Sequence, residues 1–148
     1  MTEAKRIQTN AWLLLLMIPL FVMGYSFAVD AERLFWVFEW SYYVLIAALL
    51  IFALWNTAAA KGSLKWAAGA IAAFLLQLIV LSLYVGPFTI YAMFFVFYAV
   101  TAAVLFILIM AFRKTDRYRV MIGLFIGLSI IMVLYMALIQ SLWGVNWM

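Results

Sequence analysis

Apolar side chains run along this chain in five blocks, each long enough to cross a layer of hydrocarbon and each closed by a short polar or glycine–proline break. A helix rises about 1.5 Å per residue, so roughly 20 apolar residues match a bilayer core about 30 Å thick. The blocks predict spans over 11–29, 34–60, 66–85, 88–112 and 120–143. Polar residues 1–10 precede the first, and Asp30, Glu32 and Arg33 separate it from the second. Lys61, Gly62, Ser63 and Lys65 form the next break. Gly86 and Pro87 divide an apolar run from Trp66 to Phe112 that is twice the length one span needs; proline lacks the N–H a helix uses and restricts the residue before it, so a tight hairpin is expected there. The segment 113–119, with four basic residues and one acid, closes the fourth span, and 144–148 follow the fifth as an interfacial tail. Pro19 and Gly24 are expected to kink the first span. That block shares the layout of a signal peptide, with Val29 and Ala31 set as at a cleavage site. It is longer than a usual signal core, so an uncleaved span is expected.

The fold class that follows is an all-α integral membrane protein, a five-helix bundle in one domain covering residues 1–148. Composition agrees: 72% of the 148 residues are hydrophobic and 9% are charged, which leaves no room for a soluble domain. Charge then orients the bundle. Lys5 and Arg6, Lys61 and Lys65, and Arg113, Lys114, Arg117 and Arg119 fall in alternate breaks, so eight of the nine basic residues share one side and only Arg33 lies on the other. The positive-inside rule predicts a cytoplasmic N-terminus and an external C-terminus, in what is expected to be a bacterial cytoplasmic membrane. Trp12, Trp36, Trp40, Trp66, Trp143 and Trp147 stand near predicted span ends, as interfacial anchors do. The formal charge of +4 therefore reports orientation, and no nucleic-acid partner is expected.

Histidine and cysteine are both absent. Their absence removes the commonest ligands of zinc and haem, the usual proton shuttle and the thiolate nucleophile, so neither a metal nor another cofactor is expected. No phosphate-binding loop, nucleophile elbow or pair of intramembrane carboxylates occurs, and no enzymatic activity is expected.

A polar group in lipid must find a partner, so the few polar residues inside the spans carry the functional candidates. Glu39 is the only acid or base well inside a predicted span, about 7 Å from the outer end of the second helix. Gln140, Tyr43, Tyr84 and Tyr91 fall at comparable depth, and with Glu39 they could line an outward-facing pocket for a cation or amine, aided by aromatic faces. The plainer reading has Glu39 reaching the headgroups or pairing with Arg33, with the tyrosines in the interfacial belt. Nearer the midplane, Gln77, Tyr98, Thr101 and Tyr135 are read as hydrogen-bonding contacts between helices. Tyr91 and Tyr98 share a face with Phe94 and Phe95, an aromatic stripe on the fourth helix. Gly69 with Ala73, Ala99 with Ala103, and Gly123 with Gly127 repeat a small-xxx-small spacing that suits close helix packing, here expected within the chain.

Five short helices rich in tryptophan and tyrosine resemble, in architecture, the translocator protein family of tryptophan-rich sensory proteins. That family carries a tryptophan- and proline-rich signature in its first loop, whereas residues 30–40 hold no proline, so no family is assigned. The leading expectation is a non-catalytic accessory, assembly or sensory subunit that lies in the lipid bilayer and acts through helix contacts with a larger membrane protein or with copies of itself. The alternative is a small transporter or ligand-binding protein that uses the pocket around Glu39.

Overall fold

Away from water a backbone must satisfy its own hydrogen bonds, and an apolar segment of about 20 residues or more does so within itself as a helix. A computed structural model, which describes residues 2–143 apart from the side chain of Tyr25, has five helices and, among the described residues, no strand: α1 (Glu3–Asp30), α2 (Glu32–Ala59), α3 (Gly62–Val85), α4 (Ala92–Lys114) and α5 (Arg119–Leu142). All five are long and apolar enough to cross a membrane. The tail 144–148, with Trp147, lies outside the described residues.

Several boundaries differ from the sequence expectation. α1 begins at Glu3 instead of 11, because Ile7, Asn10 and Ala11 continue its inward face and are buried. It runs unbroken through Pro19. α4 begins at Ala92 instead of 88, since the residues after Pro87 cap α3. Phe88 N–H donates to the Leu83 carbonyl at 2.9 Å, and the Thr89 hydroxyl reaches the Tyr84 and Gly86 carbonyls at 2.9 and 3.2 Å. These bonds serve carbonyls that a helix end leaves without partners.

The bundle is built around α3. In its most apolar window 72% of residues are buried, against 12–28% in the other four helices, which places α3 at the centre. α3 packs against every other helix, α1 also packs on α2, and α4 on α5, while α1 and α5 do not meet and neither do α2 and α4. The outer helices read this arrangement in heptads. α4 turns Phe94, Phe97, Thr101, Val104 and Leu108 inward and α5 turns Ile122, Phe125, Ser129, Met132 and Met136 inward, both at alternating steps of three and four.

At the middle of the bundle the Gln77 amide joins three helices. Its nitrogen donates to the Thr101 hydroxyl at 3.1 Å, and its oxygen accepts from the Ser129 hydroxyl at 2.6 Å, with all three side chains buried. Tyr135, grouped with these residues by depth, lies elsewhere.

The small-residue pairs are divided by these same faces. Ala73 is buried in α3, and a methyl group at Gly69 would meet only Thr57, at 3.8 Å. Ala99 and Ala103 are exposed, a methyl group at Gly127 would have nothing within 4 Å, and one at Gly123 would meet the Phe112 ring at 3.6 Å. Close crossings within the chain were expected at all of these positions. They are not made at Ala99, Ala103 or Gly127, because the heptad stripes of α4 and α5 turn those residues outward.

Removing the central amide tests its share of the stability. Gln77→Leu keeps the volume and frees Thr101 and Ser129 to bond their own helix carbonyls, so a loss of about 1 kcal/mol is expected. Gln77→Ala also leaves a cavity and should cost about 2–4 kcal/mol. Both are read from denaturation in mixed micelles followed by circular dichroism.

Candidate functional site

Glu39 lies seven residues into α2, about 10 Å along the helix from Glu32. It is half-buried on the wall of a cavity of about 400 Å³ bounded by α1, α2, α3 and α5. Phe21 and Val22 of α1, Phe35 and Phe38 of α2 and Val85 of α3 supply apolar surface. Tyr42, Tyr43, Ser82 and Tyr135 supply hydroxyls.

Two close approaches shape this space. Gly24 of α1 lets the Phe38 ring lie against its backbone, at 2.9 Å from where a methyl group would sit, and Phe38 stacks on Phe27 with centroids 4.8 Å apart. At the other wall, a methyl group on Gly86 would collide with the Tyr43 hydroxyl and fall 3.1 Å from Glu39 Oε1. Glycine is needed here for space.

The hydroxyls form a directed network. Ser82 donates to the Leu78 carbonyl at 2.7 Å, so its oxygen is left to accept from Tyr42 at 3.2 Å. Tyr43 donates to the Ser82 carbonyl, also at 3.2 Å. With these protons committed to α3, neither tyrosine neutralises Glu39. Among the described residues the sole ion pair joins Arg119 to Asp116, so the expected pairing of Glu39 with Arg33 is not made.

The electrostatics of the cavity follow from its parts. The C-terminal end of α3 brings the partial negative charge of a helix terminus to the same wall as Glu39. Tyrosine and phenylalanine rings present negative faces. A carboxylate, a helix C-terminus and aromatic walls together favour a cation that also carries apolar surface.

The residues expected around Glu39 are only partly gathered there. Tyr43 is. Gln140 instead accepts from Tyr98 at 2.9 Å, tying α5 to α4. Tyr84 and Tyr91 join Phe94 and Trp143 in an aromatic cluster with centroids 4.9–6.4 Å apart, while Phe95 of the expected stripe is exposed. Tyr135 lines the Glu39 cavity in place of the midplane contact. Sequence reasoning missed Ser82 and Ser129. Their signal was depth: Ser82 stands one turn from the end of α3, level with Tyr42, and Ser129 stands level with Gln77.

Filling the wall should close the cavity. Gly86→Val is expected to push Tyr43 and Glu39 aside and break the Tyr43 bond to Ser82, visible as a shifted tyrosine hydroxyl band in infrared difference spectra. Gly127→Val, at an open position, should leave the band where it is.

Compared with protein-family models, with curated proteins and with solved structures, the chain matches none.

Proposed function

We propose that this chain is a multi-pass membrane protein without chemistry of its own that binds an amphiphilic cation, an amine or quaternary ammonium on an apolar body, in the cavity around Glu39. The observation that carries this reading is a half-buried carboxylate with no cationic partner among the described residues, on the wall of an apolar cavity of about 400 Å³. That volume falls within the usual range of small-molecule sites, about 300–1,000 Å³. An unpaired acid in lipid is costly to keep, and such residues mark ligand or ion sites more often than structural ones. α1 and α5 make no close contact, and Val22 of one and Tyr135 of the other line the cavity, so the proposed route of an amphiphile from the bilayer to Glu39 lies between them.

The proposed orientation puts the N-terminus in the cytoplasm of a bacterial inner membrane and the Glu39 end outside. It rests on the segregation of the basic residues.

A second reading, a subunit that works through helix contacts, is favoured by one observation. Gly127, Ala99 and Ala103 face outward, where a neighbouring helix could approach closely. Sizing in mild detergent after crosslinking in the native membrane should then give a discrete larger species; a lone monomer counts against this role.

Two measurements address the main reading. Tetraphenylphosphonium and tetraphenylborate match in shape and differ in sign. In equilibrium dialysis the cation should bind and the anion should not, and Glu39→Gln should weaken the cation by about tenfold or more without lowering folded yield. Equal binding of both ions, or no effect of Glu39→Gln, contradicts the proposal. For orientation, the cysteine-free sequence allows single cysteines to be placed at Ser63, Thr89 and Asp116, all exposed. In intact cells an impermeant maleimide should label Thr89→Cys alone.

A further inference from the structure

A second cavity, remote from Glu39, occupies the other seam of the bundle. Because α2 and α4 do not meet, a groove of about 720 Å³ runs between them along α3. Gly69, Ala72 and Ala73 form its floor, and Leu50, Leu54 and Ile107 line its sides. One end differs from the rest. Lys65 and Trp66 line it, and the Lys114 ammonium stands 4.4 Å over the Trp66 ring. Neither lysine has a carboxylate within 4 Å among the described residues.

We propose that this groove holds an acyl chain of an anionic phospholipid whose headgroup rests against Lys65 and Lys114. The match is one of charge and polarity along a single axis. The apolar trough takes the chain, the two ammonium groups meet the phosphate, and the indole stands where membrane and water join. A free anion would use the lysines and leave the trough idle. The lipid also gives Gly69 a role that helix packing does not: its missing side chain keeps the trough deep, since a methyl there would meet only Thr57, at 3.8 Å. The site is independent of the Glu39 cavity and stands or falls without it.

Native mass spectrometry of the purified protein tests this with phosphatidylglycerol and phosphatidylcholine of identical acyl chains. Wild type should retain phosphatidylglycerol over phosphatidylcholine by about fivefold or more, the scale set by one surface lysine facing an anionic lipid. The double variant Lys65→Gln/Lys114→Gln should lose that preference and keep its phosphatidylcholine signal. Gly69→Leu, which fills the trough, should reduce both lipids. Equal retention by the wild type, unchanged preference in the lysine variant, or displacement of the lipid by excess inorganic phosphate alone each overturns the proposal. Should Gly69→Leu fail to fold, the lysine variant, whose changes lie at exposed positions, decides the matter.

Discussion

The rest of the structure depends on α3 being surrounded. A helix that is apolar on all sides can be buried on all sides, and once it is, the other four must each give it a face. Gln77 makes that position specific. Its buried amide must be satisfied from both ends, and the nearby hydroxyls that do so, Thr101 and Ser129, come from two different helices. Rotating α4 or α5 by one residue would break a bond in the driest part of the bundle. The bond energies are small, because the unfolded helix in lipid also finds partners, but the register they select is single.

Both cavities follow from the same geometry. Around α3 the outer helices touch only as α1 with α2 and α4 with α5, and spaces open where they do not: the Glu39 cavity, lined from both α1 and α5, and the lysine-tipped groove between α2 and α4. They differ in sign. At one end the α3 C-terminus and Glu39 make the cavity negative; at the other Lys65 and Lys114 make the groove positive. An antiparallel bundle with segregated charges offers opposite electrostatics at its two ends without any loop domain to carry them.

Much of the fold was legible in the sequence, since the length and apolar character of a span are properties of single segments. The break at Gly86–Pro87 was visible for the same reason, although its extent was not, because Thr89 acts as a cap only after α3 has placed its last carbonyls. The site was half legible. Glu39 stood out as the lone acid in a span, and Tyr43 followed from depth. Depth alone cannot say which side of a helix faces which neighbour, so Gln140, Tyr84 and Tyr91 were grouped with Glu39 although they face α4 and α5. The small-residue pairs misled for a related reason: the spacing is real, but the heptads of α4 and α5 put Ala99, Ala103 and Gly127 on the outside.

The central claim is that Glu39 faces a cavity fitted to cations. Reaction of the protein with an apolar carbodiimide, followed by peptide mass spectrometry, tests it most directly. The account predicts that Glu39 is modified and that tetraphenylphosphonium protects it whereas tetraphenylborate does not. Modification of Glu39 that proceeds at the same rate with either ion present would contradict it.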